Sequence, residues 1–178
     1  MGEKRPANRG LCAPPAVLLR RARRGDYEFA AALYLQSTRP LLIALGRWNQ
    51  RQVVARFRRA FRPEHGYVIR SHGADIGWMQ VTENGRRYHV QQLHLVERFR
   101  NRGIGRRLLQ HLMNRARDRR KFVALNVIQG NRAAGLYQRL GFRTMRTSEG
   151  KLHMRWVPAA RGAAGPTHCA GLPLGDSP

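Results

Sequence analysis

Leu95-Val96-Glu97-Arg98-Phe99-Arg100-Asn101-Arg102-Gly103-Ile104-Gly105-Arg106 is the stretch on which the fold of this chain turns. An alternating segment ends at Val96, two glycines follow, and a helical pattern begins. Ile104, Leu108, Leu112 and Ala116 share one helical face, with Leu109 and Met113 beside it. A strand therefore feeds a glycine turn that opens a helix. The first N–H groups of such a helix lack intrahelical acceptors, and the helix dipole adds partial positive charge there. Arg98, Arg100, Arg102, Arg106 and Arg107 surround the turn. Together these features predict a pyrophosphate site. It is not a P-loop, because no Gly-Lys-Ser/Thr follows, and not a dinucleotide fingerprint, because Leu108 holds the third glycine position. Taken alone, the stretch is also compatible with a plain glycine turn carrying solvated arginines.

The pattern downstream reads as a strand over Phe122–Val127 and a short helix bearing Ala133, Leu136, Tyr137 and Leu140. Gly141 suits the left-handed C-terminal position of that helix. Strands over Phe142–Arg146 and Leu152–Val157 follow. Upstream, Ala16–Ala22 reads as a first strand, and Asp26 as the cap of a helix over 27–36, with Pro40 restarting the chain. Val53, Phe57 and Phe61 mark a second helix ended by Pro63. Strands over Tyr67–Arg70 and Asp75–Val81 flank a turn at His72-Gly73. Asn84-Gly85 signals a hairpin into a strand over Tyr88–Val96. The order β-α-α-β-β-β-α-β-α-β-β predicts an α/β chain (α+β mixed) with a mixed sheet. Its folded domain spans 16–157, between a loose arm at 1–15 and a tail at 158–178 rich in Ala, Gly and Pro.

Two segments together carry a family resemblance. Arg100-Asn101-Arg102-Gly103-Ile104-Gly105 resembles the coenzyme A pyrophosphate loop of the GCN5-related N-acetyltransferase (GNAT) superfamily. Leu125-Asn126-Val127 through Asn131, Leu136-Tyr137 and Leu140-Gly141-Phe142 resembles its second signature. Trp48, Ile76-Gly77-Trp78 and His153-Met154-Arg155 stand where a bacterial group of unassigned substrate has similar residues. The resemblance implies a twisted mixed sheet of about seven strands with about four helices, splayed to admit the cofactor. It implies acetyl-CoA as the acetyl donor, no metal, and direct transfer to an amine of a small molecule or peptide.

It also implies roles residue by residue. Arg100, Asn101, Arg102, Gly103, Ile104, Gly105 and Arg106 would hold the pyrophosphate, mostly through backbone N–H. Leu95 and Val96 would bind the acetyl and pantetheine groups and supply an oxyanion donor. Asn131 would contact the cofactor, and it is equally well placed as a helix cap. Tyr137 would protonate the departing thiolate, or else is a core tyrosine. His94 stands where some relatives place a glutamate base, and an imidazole titrating near neutral pH suits that task. Glu97, Glu83 or a water chain are the alternatives. Asn126 replaces a glutamate common in relatives that acetylate protein N-termini. Arg132 stands where the nearest group carries proline. Trp48 and Trp78 would wall the acceptor site, or simply pack in the core.

Composition sets the remaining bounds. Hydrophobic residues make up 42% of the 178, enough for one core. Cys12 and Cys169 have no CxxC partner or histidine cluster, so neither zinc nor a disulfide framework is expected. No apolar run approaches the roughly 20 residues a spanning helix needs, so a cytoplasmic protein that makes no membrane contact is expected. The net charge is +24, and only Lys4, Lys121 and Lys151 of the 34 basic residues are lysines. Because the arginines are scattered through every segment, any binding of nucleic acid is expected to be weak and non-specific. The rival reading is a nucleic-acid-associated protein of this fold, or a transferase acting on an RNA-bound substrate such as aminoacyl-tRNA or a ribosomal protein. A monomer or homodimer is expected.

Overall fold

A computed structural model describes residues 16–159; the expected arm over 1–15 and nearly all of the 158–178 tail lie outside them. Seven strands form one sheet in the order β1-β2-β3-β4-β5-β7-β6. They are β1 Leu18–Arg21, β2 Gly66–Ser71, β3 Ala74–Asn84, β4 Arg87–Leu95, β5 Phe122–Ile128, β6 Arg143–Ser148 and β7 Lys151–Trp156. The four α-helices are α1 Tyr27–Ala44, α2 Gln50–Ala60, α3 Ile104–Asp118 and α4 Ala133–Arg139. Among the described residues only β4 and β5 pair in parallel; every other neighbouring pair is antiparallel. The sheet is mixed, as the element order predicts.

The α-helices cover opposite faces. Leu108, Leu109, Leu112 and Tyr137 of α3 and α4 join Met79, Val90, Leu125 and Met154 of the sheet in one buried cluster. Ala30, Leu33 and Phe57 of α1 and α2 join Val68 and Trp78 in another. Trp78 is fully buried because Gly66 gives it room; a Cβ at Gly66 would lie 2.3 Å from Trp78 Cη2.

Three local expectations are corrected. Helix α1 runs through Pro40 instead of restarting there. Proline removes one N–H and crowds the preceding turn, yet here it falls in the final stretch. There Leu45 N–H still bonds Leu41 O at 3.2 Å and Arg47 N–H bonds Leu42 O at 2.8 Å. Asp26 precedes α1 without capping it through its side chain. Its carboxylate instead receives the guanidinium of Arg20 at 2.9 and 3.0 Å and the N–H of Arg23 at 2.7 Å. The hairpin turn sits one residue later than Asn84-Gly85. Asn84 pairs with Arg87, so Gly85 and Arg86 form the loop, with Gly85 at φ +50°. Helix α2 is capped by Asn49, whose Oδ1 accepts Gln52 N–H at 3.0 Å.

Candidate functional site

The site begins where two parallel strands part. Pairing of β4 with β5 runs from Arg87↔Phe122 to Val90↔Leu125 and stops, although β4 continues to Leu95 and β5 to Ile128. A bulge marks the parting point. Gln80 pairs with Gln92 and Val81 with Val90, which leaves Gln91 as an extra residue on β4. Buried Gln80 fixes this bulge. Its Nε2 donates to Gln91 Oε1 and to Ala60 O (2.9 Å), while its Oε1 accepts Arg62 N–H at 3.0 Å. The end of α2 is thereby tied to the opening.

Beyond β4 the chain makes the predicted glycine turn. Gly103 is the N-cap of α3 at φ +74°, and no side chain caps the helix. Arg107 N–H makes the first intrahelical bond, to Gly103 O at 3.0 Å. The N–H groups of Ile104, Gly105 and Arg106 are thus the unpaired donors of the first turn. A Cβ on Gly103 would meet nothing within 4 Å, so the cradle is open on that side. This is a turn that a pyrophosphate fits. Asn101 adopts φ +59°, and Arg98 and Arg102 lie over the Phe99 ring at 5.2 and 5.7 Å. Arg100 points elsewhere: its Nε donates to Leu95 O at 3.0 Å and its Nη2 to Ser37 Oγ at 3.4 Å. Its side chain braces the turn against β4 and α1, and its backbone N–H bonds Glu97 O at 2.9 Å.

Leu95 and Val96 separate in function. Val96 N–H is already bonded to Ile76 O at 2.9 Å, on the β3 side. Because N–H groups alternate sides along a strand, that of Leu95 points toward β5, into the gap. Leu95 is therefore the free donor of the pair.

The structure also brings α4 to this place. A Cβ on Gly105 would lie 3.6 Å from Leu136 Cδ2, so the start of α3 abuts α4. Asn131 lies one residue before the N-cap of that helix, Arg132, and its Oδ1 accepts Ala133 N–H at 2.9 Å. Tyr137 is buried with its ring 5.9 Å from Phe142, and burial pushes its hydroxyl up to about 12. It is thus core-packed and protonated at neutral pH, a proton source for a thiolate but a weaker acid than a free phenol.

His94 lies across the sheet from these groups. It pairs with Trp78 and so faces α1 and α2, where its ring meets Tyr34 edge-on at 5.7 Å. Gln92 Oε1 is 2.7 Å from His94 Nε2. An oxygen there accepts a hydrogen bond from Nε2–H, which leaves the lone pair on Nδ1. Burial, and next the charge of Arg100, hold the imidazole down at about 4. The near-neutral titration expected of His94 is therefore corrected: it is uncharged throughout the physiological range and a weak base. Glu83 is not close to hand, since it is bound to Lys121 at the far end of β3. Glu97 lies in the short turn after β4.

Of the two tryptophans, Trp78 is a core residue stacked on Phe61 at 5.2 Å, with no exposed surface to offer an acceptor. Trp48 lies in the α1–α2 connection, half-buried, with Arg39 5.7 Å above its ring. Sequence reasoning missed Gln80, Gln91, Tyr34 and Ser37. No pattern marks a bulge, and both helix residues look like ordinary positions of α1. Among the described residues no group of three or more His, Cys, Asp or Glu side chains is placed to hold a metal. No helix of the described residues is long and apolar enough to cross a membrane.

Comparison with known proteins agrees with this fold. The model of the acetyltransferase (GNAT) family matches residues 29–142. A comparison with curated protein sequences finds no match. Among solved structures, the PaiA N-acetyltransferase of Thermoplasma acidophilum in complex with coenzyme A aligns with TM-score 0.65 and 14% identity. The alignment covers 80% of this chain and 99% of that one. PH1933 of Pyrococcus horikoshii OT3 aligns with TM-score 0.63 and 14% identity over 82% of this chain and 100% of that one. Ard1 of Thermoplasma volcanium gives TM-score 0.58 and 20% identity over 82% and 99%. At these identities the solved structures establish the shared fold.

Proposed function

This chain belongs to the GNAT family of acetyltransferases, and from that premise we propose that it transfers an acetyl group from acetyl-CoA to the amine of a small molecule or peptide. One observation carries the reading: the uncapped start of α3, with its open glycine cradle, borders the gap where β4 and β5 part. The N–H groups of residues 104–106 and the nearby Arg102 and Arg106 suit a pyrophosphate. A thioester bound there supplies an activated acetyl carbon. The chain's own part is positioning and charge control. Leu95 N–H is the donor for developing negative charge on the acetyl oxygen. As the C–N bond forms the C–S bond breaks, and Tyr137 O–H supplies the proton that the departing sulfur takes. An acceptor arriving as an ammonium must lose one proton before attack and another after it. His94 Nδ1 is an uncharged acceptor for one of them, directly or through water, and solvent takes the other.

The test has two arms. Coenzyme A and acetyl-CoA should each raise the thermal unfolding temperature; ligand at about 100 times its dissociation constant adds roughly 2.7 kcal/mol. Acetyl-CoA consumption should then be screened across amines and peptides. The absence of any thermal shift with either cofactor would refute the assignment.

A further inference from the structure

The gap where β4 and β5 part is bordered by basic groups on both faces of the sheet. The α3/α4 face holds the pyrophosphate cradle. On the other face, β4, β5 and β7 present Arg87, His89, Gln92, His94, Asn126, Lys151, His153 and Arg155. These alternate with Val90, Leu125, Val127, Leu152 and Met154, which pack in the α3/α4 cluster. No carboxylate stands among them. Above them, from Phe29 to Pro63, the chain carries seven arginines and not one aspartate or glutamate.

The mouth on this face is built from three elements. The α1–α2 connection reaches the β6–β7 turn, since a Cβ on Gly150 would lie 3.0 Å from Arg47 Nη1 and 3.7 Å from Leu45 Cδ1. Lys151 is next in sequence and pairs with Ile128, at the splayed end of β5. Arg56 precedes Phe57 on α2, and Phe57 stacks at 4.8 Å on Tyr34, which in turn touches His94. A chain of contacts therefore links the Arg47, Arg56 and Lys151 end, through Phe57 and Tyr34, to His94. Burial, and next the charge of Arg56, hold the Lys151 ammonium below its ordinary value, against the weaker pull of Glu149. The two cations thus feel each other. Among the described residues none of the three makes an ion pair within 4 Å.

We propose that the acceptor is an amine bearing an anionic group, a carboxylate or a phosphate, which Arg47, Arg56 and Lys151 hold at the mouth while the amine passes Tyr34 and His94 to the gap. The proposal rests on the transferase reading above and gives it a substrate class. Like charges that crowd together without an ion pair are relieved by an anion, and arginine forks match carboxylate and phosphate oxygens in pairs. The same field repels a polycation and favours the uncharged form of the incoming amine. That compensates for the weak base at His94.

The test is calorimetric titration of the protein saturated with coenzyme A, whose own titration reports separately on the transferase reading. The probes are phosphoethanolamine and 6-aminohexanoate, against ethanolamine, hexylamine and spermidine. The anionic amines should bind at least about tenfold more tightly than the counterparts that lack the anionic group, and spermidine least of all. Which anionic probe binds better separates phosphate from carboxylate. Lys151→Glu and Arg56→Gln should each weaken the anionic probes by about ten- to a hundredfold while coenzyme A affinity holds. With acetyl-CoA in place of coenzyme A, the same loss should appear in KM for any probe turned over. Coenzyme A binding without any preference for the anionic amines would overturn the inference and leave the transferase reading standing. So would probe affinities that both variants leave unchanged, or preferential binding of spermidine. Failure of coenzyme A itself to bind would remove both.

Discussion

Replacing His94 by Gln should make the protein less sensitive to acid. In the native state the imidazole titrates at about 4, because burial and then the Arg100 guanidinium disfavour its cation. In the unfolded chain it titrates near 6.5. The native state therefore binds fewer protons than the unfolded state between those two values. Stability attributable to His94 is complete above about pH 6.5, falls as the pH drops toward 4, and falls no further below it. A shift of that size amounts to about 3 kcal/mol in all, of which roughly 2 kcal/mol is lost between pH 7 and pH 5. These are upper figures, since the side chain keeps some exposure and water screens what it reaches. Glutamine keeps a polar group beside Gln92 but cannot charge. Urea unfolding of both proteins at pH 7, 6 and 5 isolates the effect, because every other titrating group is common to the pair. The gap between their stabilities should shift in the variant's favour by up to roughly 2 kcal/mol over that range. Two curves that fall in parallel would mean that His94 accepts a proton in the folded state near its ordinary value. The neutral-imidazole account would then be wrong. The rate profile carries the same signature: an acidic limb due to His94 belongs near pH 4 and disappears in the variant.

Gly103→Asp should abolish the coenzyme A thermal shift, because it places a carboxylate where phosphate is expected, at a φ of +74° that L-residues rarely adopt; the apo variant should still unfold cooperatively. Tyr137→Phe keeps the ring against Phe142 and removes only the hydroxyl, so kcat should drop by roughly 10²–10⁴-fold with coenzyme A affinity nearly unchanged, and full activity would mark Tyr137 as a packing residue. Gly66→Ala drives a methyl into Trp78, and denaturant unfolding should report a loss of about 1–3 kcal/mol. RNA and DNA should bind without sequence preference, and filter binding should show the affinity collapsing between low and physiological salt.

The parts of this molecule legible in the sequence are those whose signal is local. Ile104, Leu108, Leu112 and Ala116 recur with helical spacing, and all are buried or nearly so in α3. Gly103 and Gly141 stand at left-handed positions, φ +74° and +88°, that only local backbone geometry demands. The Ile76-Gly77-Trp78 motif acquires its reason only in three dimensions. A Cβ on Gly77 would strike His94 O at 2.7 Å, so β3 needs glycine to lie against β4 beside the gap. Trp78 was ambiguous for the same reason. A tryptophan on an alternating strand can line a cleft or fill a core, and the answer depends on Gly66, twelve residues away on another strand. Pro40 shows the opposite failure. A local rule read strictly would end α1 there, but one missing hydrogen bond late in a helix is a small loss when the following turn still closes on Leu41 and Leu42.

Charge was legible as a total and misleading as a distribution. Scattered arginine along the chain suggests a uniformly basic surface, whereas the fold sorts it against the few acids. Asp26 and Asp75 bind Arg20 and Arg70 on the β1–β2–β3 side of the sheet, and Glu83 binds Lys121 at the far end of β3. The splayed end keeps cations that make no ion pair among the described residues on one face and backbone N–H donors on the other. Both faces of the gap thus present positive potential to whatever enters. For the phosphate-rich cofactor that is an attraction. For the acceptor it is a selection: an ammonium is repelled unless it carries its own anion or sheds its proton. Catalysis needs the same deprotonation. The field that chooses the acceptor therefore also does part of the work usually assigned to a strong base, which reconciles a transferase fold with an imidazole that titrates at about 4.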